Sequence, residues 1–572
     1  MLPAAAAEKR AGLDWWSLQP LAKVVPPDAG RATVGSNPID AFITAKLESR
    51  GLSISPPAEP RAQIRRVYFD LTGIPPSEEA VRAYEADPSR AAYGKMVDTL
   101  LASPRYGERW ARHWLDVVRF GESNGFEYNE PRRNAWPYRD WVIRALNDGL
   151  PYDKFVHAQI AGDDPAALGF LVAGTHNTVL GASDLMKRQA RADELEEIVG
   201  TLSQAFLGIT AQCARCHDHK VDPVPTGEYY RLAAAIAGVR FSGKGKEIHT
   251  VVSGDPGKMH VHERGNPGKL AEEVTPGGIA AIRGLSADFG LNGSAGDPDR
   301  RKKLAAWITH PDNPLFVRVI VNRVWHYHFG TGIVATPNDL GYSGGRPSHP
   351  ELLDWLALRF REDGYSLKKL HRRIVTSATY RQSSAANAAA LAKDSDSRLL
   401  WRFPPKRLEA EALRDAILAV SGVLNPAMGG PGFEDVRQVD LNAGRYYEPF
   451  DPEGAAFERR SIYRFTPRGG RSALLDTFDC PDPSATAPRR SVTTTPLQAL
   501  ALQNDPFVWR MAERFAQKLK SEPDPVLTAW QRALGRRPDA TERKLAQSLL
   551  DAHGLPALCR ALFNSGEFSL VE

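Results

Sequence analysis

The feature that most limits the fold of this chain is the helical spacing of its apolar residues. It recurs along the whole length without the strand–helix alternation of a parallel sheet. The clearest case is 191–208, where Leu195, Ile198, Val199, Leu202, Ala205 and Phe206 share one helix face before Gly208 ends the run. Similar patterns predict helices over 93–120, with an interruption at Ser103-Pro104, over 137–147 and from Pro151 onward. Further helices are predicted over 315–329, 350–362, 408–423, 497–520 and 541–553, and Asn37-Pro38 is a start signal for one containing Asp40. The expected fold is mainly α and multi-domain, because 572 residues exceed what one core sustains and imply about two to four domains.

Breaks in the pattern divide the chain. Residues 1–35 form a poorly structured lead-in, 36–240 a first helical domain, and 299–572 a second. The glycine- and proline-rich stretch 241–298 between them is a linker or a small β-rich insertion, with Thr250-Val251-Val252 a candidate strand. Residues 429–490 are irregular, and no repeat of fixed period occurs.

Composition narrows the function classes. Lysine and arginine total 73 against 68 acidic residues, and the net charge of +5 is too diffuse to argue for nucleic acid. No run of eighteen apolar residues predicts a transmembrane segment. The alanines at positions 4–7 resemble the surroundings of a small-residue cleavage site, so the expectation is that a leader has been removed ahead of them. Four cysteines exclude a disulfide scaffold. Cys480 and Cys559 are either bridged or two separate thiols.

The other two cysteines carry the chemistry. Cys213-Ala214-Arg215-Cys216-His217 has the c-type haem spacing. Two thiols three residues apart can add to the two vinyl groups of one haem, and the adjacent histidine can then supply the proximal nitrogen to iron. Two rival readings use the same residues: a zinc site with Cys213, Cys216, His217 and His219, and a CxxC redox pair. For a distal iron ligand the candidates are His176, Met186, Met259, His260 and His262. His219 is too near the proximal histidine in sequence to cross to the far face.

Two helical segments offer candidate catalytic residues. His113 and Asp116 are helix neighbours, as are Asp116 and Arg119, so a carboxylate beside the imidazole could serve a general base. An ion-pair lattice between helices is the alternative. On the segment containing Arg323, His326 and His328, the two histidines point about 200° apart and cannot both face one metal. His113, Asp116, Arg119, Arg323 and His326 form the candidate pocket, with the arginines orienting substrate.

In longer context these residues resemble a family. The segment 206–223, with Cys213, Cys216, His217, Asp218, His219, Lys220, Asp222 and Pro223, is similar to the core of the planctomycete-type cytochrome c domain. Segments 109–119, 134–140 and 169–174 resemble the same domain. Segments 313–330, 347–355, 376–383, 489–500 and 562–568 resemble its usual C-terminal companion. The resemblance implies one covalent haem c held by Cys213, Cys216 and His217, export to the periplasm or beyond, and a redox partner protein as electron acceptor. With a single CxxCH, the extra N-terminal haem domain of many members is missing from this sequence. Association with polysaccharide degradation implies an oxidoreductase acting on a carbohydrate or another alcohol. The alternative is a non-catalytic electron carrier or a glycan- or partner-binding cytochrome.

Overall fold

The structure, a computed structural model, describes residues 10–27, 37–242, 245–442 and 444–572. The alanine run at 4–7 lies outside them. Helices dominate, and among the described residues the strands pair as two-stranded antiparallel sheets. Proline marks many helix starts because its absent N–H is not missed in the first turn. Pro38, Pro60, Pro104, Pro314, Pro350, Pro496, Pro506 and Pro525 all occupy the first helical turn.

Most expected helices form near their expected bounds, including Trp136–Asn147, Tyr152–Ala161, Pro314–Phe329, Pro350–Glu362 and Ala410–Val420. The helix read over 191–208 begins earlier, as Asp184–Phe206. The helix read over 497–520 is two, Pro496–Asn504 and Pro506–Leu519. The Asp505 side chain accepts the Phe507 N–H and starts the second, where Pro506 cannot continue the first. The glycine-rich 241–298 stretch does hold short hairpins: Val239–Phe241 with Val251–Ser253, and Met259–His262 with Leu270–Val274. A further hairpin, Val436–Leu441 with Gly444–Pro449, lies inside the segment read as irregular.

Two apolar cores organise these elements. The larger runs from Ala11 through the region of Cys213 and Cys216 to Phe403 and takes in Phe433, Ile462 and Tyr463. The smaller holds residues from Leu408 to Val571, together with Phe69. Part of the expected loose lead-in is built into the larger core: Trp15 and Leu18 are buried, and Trp15 Nε1 donates to the Leu340 carbonyl at 2.9 Å. Arg318 donates to the Ser17 and Gln19 carbonyls, which holds that stretch down. Aromatic and leucine burial at these positions outweighs the local disorder that Pro26 and Pro27 suggest.

Where the cores meet, the packing is ionic rather than apolar. Arg460 joins Glu108 of one side to Asp415 of the other, at 2.8 and 2.9 Å. Arg490 reaches Asp116 at 2.7 Å and Glu411 at 2.5 Å. Arg109 pairs with Glu409 at 2.6 Å, and Lys406 with Asp70 at 2.8 Å. No helix among the described residues is long and apolar enough to cross a membrane.

Candidate functional site

The helix Asp184–Phe206 delivers the chain to the cysteine pair. Gly208 turns it at φ 59°, where a Cβ would press on Val319 and Leu340. A 3₁₀ turn, Ala211–Arg215, follows, with Ala211 and Ala214 fully buried and Arg215 nearly so. Arg215 is locked inward: it bonds Asp193 at 2.7 Å and also Glu196, and the Tyr230 hydroxyl donates to its carbonyl at 3.1 Å. The residues between the cysteines thus anchor the turn, and Cys213, Cys216 and His217 are left exposed on it.

His217 is oriented by its own backbone. Its Nδ1 lies 2.7 Å from the Asp218 carbonyl, which can only accept, so Nδ1 is the donor there. His219 is spent differently. It is buried, its Nδ1 accepts from the Asp222 N–H at 2.9 Å and the Val221 N–H at 3.3 Å, and its Nε2 meets Thr210 Oγ1 at 3.0 Å. The zinc reading offered His219 as one choice of fourth ligand, and both its nitrogens are committed. Among the described residues no group of three or more His, Cys, Asp or Glu side chains is arranged to hold a metal ion by itself.

A hairpin borders the thiols. Gly265, at φ 74°, comes so near that a Cβ there would lie 2.6 Å from Cys216 Sγ. On the same hairpin His262 is half-buried against the Tyr230 ring, and its Nδ1 has no partner. The hairpin also touches Leu185 at Gly268. Leu185, Met186 and Leu270 are large apolar side chains left exposed on this side. Of the other distal-ligand candidates, His176 is committed to Glu194 at 2.6 Å and stacked on Phe241.

The five candidate catalytic residues do not form one pocket. His113 is buried, stacked on Tyr327 at 3.7 Å and packed against Trp110. The carboxylate nearest its Nδ1 is Glu409, at 3.8 Å. Asp116 gives both oxygens to Arg112 and Arg490, so the expected His113–Asp116 pairing does not form; interlocking of ion pairs across the seam wins over the local i, i+3 contact. Arg119 leaves its helix at φ 50° and pairs with Glu197 at 3.5 Å, away from His113. Arg323 donates to the Ala205 and Gln204 carbonyls and to Asn338, so it caps the helix that precedes the cysteine pair. His326 is buried with an unpartnered Nδ1, and burial drives its pKa down to about 4 despite Glu409 nearby. His113 and Arg323 do line one cavity with Tyr152 and Tyr327, but at about 30 Å³ it has room for a water or two and not for a sugar.

Sequence reasoning missed a buried relay close to His113. Asp70 accepts from the Tyr380 hydroxyl at 2.7 Å and faces His328 Nδ1 at 3.3 Å, and His328 Nε2 lies 2.9 Å from His371 Nδ1. Burial alone would raise the Asp70 carboxyl, but Lys406 and His328 hold it well below the usual range. His371 ends the relay against the Trp110 ring at 3.9 Å. Asp70, His328 and His371 lie far apart in sequence, and no spacing signal links them. A larger opening, about 330 Å³, lies where the 436–449 hairpin meets the helix Pro506–Leu519, and is lined by Phe433, Phe450, Phe457, Phe507, Asp451 and Glu453. Cys480 and Cys559 are both free thiols, Cys559 being buried in the smaller core.

No curated protein and no solved structure matches the chain. Two family models do. PSCyt2, a protein of unknown function (DUF1549), matches residues 38–241, and PSD1, a protein of unknown function (DUF1553), matches residues 300–550. The first range contains the exposed cysteine turn, the second the Arg490 seam and the 330 Å³ opening. The two matched ranges are thus similar, in order, to the planctomycete cytochrome-type domain pair, PSCyt2 followed by PSD1.

Proposed function

We propose that this chain is an exported mono-haem c-type cytochrome that passes electrons singly to a redox partner protein. The observation that carries the reading is the turn at 213–217: two exposed thiols three residues apart, next to an exposed imidazole whose Nδ1 proton is fixed on a backbone carbonyl. Haem c, when bound, supplies a reversible one-electron couple. Cys213 and Cys216 would hold it. Each thiol would add across one vinyl group, its sulfur bonding one carbon and its hydrogen passing to the other. His217 Nε2 would be the proximal ligand, the ring being oriented by the Nδ1 bond to the Asp218 carbonyl. Arg215, locked by Asp193 and Glu196, fixes the turn, and Gly265 leaves the room beside Cys216 that a side chain would fill. Export follows from the chemistry of attachment, which the resembled family carries out outside the cytoplasm.

A second reading, oxidation of a carbohydrate or another alcohol with electrons leaving through the haem, is favoured by the opening at 433–514. There four phenylalanines and several carboxylates face one concave surface, the mixture a polar ring compound needs. Alcohol oxidation releases two electrons, so a single one-electron couple would have to be discharged twice per turnover.

The test is the full chain produced in a host that matures c-type cytochromes. A Soret band, with haem mass found on the peptide holding Cys213 and Cys216, is expected. Colourless protein whose two thiols are freely alkylated would overturn the assignment. Adding monosaccharides to the oxidised protein separates the readings: substrate-dependent reduction of the haem bands supports catalysis, and unchanged bands favour the carrier.

A further inference from the structure

A second concave site lies on the other helical face of the larger core, and it is basic. The helices Arg90–Ala102 and Leu367–Val375, with the start of Pro38–Glu48, border a cavity of about 450 Å³. Its wall carries Arg90, Lys369, Arg372, Arg373 and Arg381, with Tyr93 among them. Two carboxylates, Asp40 and Asp363, also line it, and both are in use. Asp40 accepts from the Ala378 and Thr379 N–H groups and from the Thr379 hydroxyl, at 2.7 to 2.9 Å. Asp363 accepts from Arg373 at 2.6 Å, and Arg372 is held from outside by Asp98. Five cations against these three carboxylates leave two positive charges in excess.

The excess has donors with nothing to bond. Arg381 lies over the Tyr93 ring at 5.3 Å, and its Nε is buried without a partner. The Tyr93 hydroxyl is likewise buried without a partner, on a residue only 1% exposed. Burial keeps that phenol protonated, so its O–H is available to donate to an acceptor. Unpaired buried donors beside surplus positive charge call for an acceptor bearing negative charge. The cavity lies within the ~300–1,000 Å³ range of small-molecule pockets, with room for more than a bare ion.

We propose that this cavity binds a tetrahedral oxyanion, sulfate or phosphate, with Arg381 Nε and Tyr93 Oη as inner donors and Arg90 and Lys369 at its mouth. The proposal stands independently of haem attachment. The same oxyanion could arrive free or as an ester on a sugar-sized molecule, and the experiment separates the two. Calorimetric titration of the purified full chain with sodium sulfate, sodium phosphate, glucose 6-sulfate and glucose 6-phosphate is compared with neutral glucose. Binding of the anions and none of glucose is expected; esters tighter than free ions would show that the cavity also reads the carrier, and equal affinities that it reads the oxyanion alone. Arg381→Gln should weaken binding about tenfold or more, as loss of a charge-assisted hydrogen bond does. Tyr93→Phe, which removes only the hydroxyl, should weaken it severalfold, and Arg90→Gln on the exposed rim should lessen its salt dependence. No heat from any of the four anions, or affinities unchanged in the folded Arg90→Gln/Tyr93→Phe double variant, would overturn the proposal.

Discussion

Arg490 shows what single side chains contribute at the seam. It is nearly buried and touches Asp116 and Glu411, with Glu409 at 3.8 Å. Burial alone would raise the two glutamates, yet Arg109 and Arg490 beside Glu409, and Arg490 and Arg112 beside Glu411, pull both down to about 2. Removing one partner of such a set leaves uncompensated charge in a poorly solvated place. Arg490→Met is therefore expected to cost about 3–5 kcal/mol in urea unfolding. A loss below about 1 kcal/mol, the worth of an exposed pair, would show the seam to be solvated. An ion-pair lattice at Asp116 was one of two readings the sequence left open, and it is the one that forms. The i, i+3 spacing of Asp116 to His113 and its i, i+4 spacing to Arg112 look equally good in sequence, and only the arrival of Arg490 from 374 residues away decides between them.

Among the elements, the 259–274 hairpin has the most direct bearing on the cysteine turn. Gly265 and Gly257 both sit at positive φ, near 74° and 60°, so alanine strains the backbone at either. They differ in surroundings: a Cβ on Gly265 would strike Cys216 Sγ, and one on Gly257 would meet nothing within 4 Å. Gly265→Ala is expected to lower haem incorporation several-fold relative to Gly257→Ala, measured as Soret absorbance per protein. Equal yields would mean that the hairpin does not govern access to Cys216. The sequence showed only that a small β-rich insertion was to be expected over 241–298, and the strand it named, Thr250-Val251-Val252, belongs to the neighbouring hairpin. The position of the 259–274 hairpin against the cysteines was not legible, because a two-stranded ribbon with half-exposed faces carries no periodicity that specifies a docking partner. The split at Asp505 was legible in principle, since Asp-Pro is a helix-start signal that the apolar period over 497–520 obscured.

At the scale of the whole molecule, two apolar cores meet across an ionic layer, and that layer makes stability depend on acidity. Glu409 and Glu411 have folded-state values near 2, below their ordinary 4.5, so their contribution is complete above about pH 4.5 and is lost as pH falls toward 2. His326, buried neutral at about 4, acts earlier: its contribution is complete above about pH 6.5 and is lost as pH falls to 4. Melting temperature is thus expected to fall from pH 6.5 downward, and calorimetry at pH 3 should resolve two transitions where pH 7 gives one. A single, unshifted transition from pH 7 to 3 would show that the seam does not couple the cores. The two family ranges do not follow this division. The larger core runs from Ala11, ahead of the PSCyt2 range, through that range to Phe403 within the PSD1 range, so the first hundred residues of the second range pack with the first.

The sequence by itself determined many of the helices, the break at Ser103-Pro104 and the spacing of the cysteine–histidine motif, because each is set within a few residues. Apolar period, missing proline N–H groups and the spacing of two thiols are local quantities, and folding does not alter them. Which carboxylate faces His113, what Arg323 holds, where the Asp70–His328–His371 relay closes and which basic side chains share a cavity were decided only in three dimensions. Those outcomes depend on which buried charges and donors meet across hundreds of residues, where desolvation penalises every unpaired group and the chain order is silent about who the partner will be.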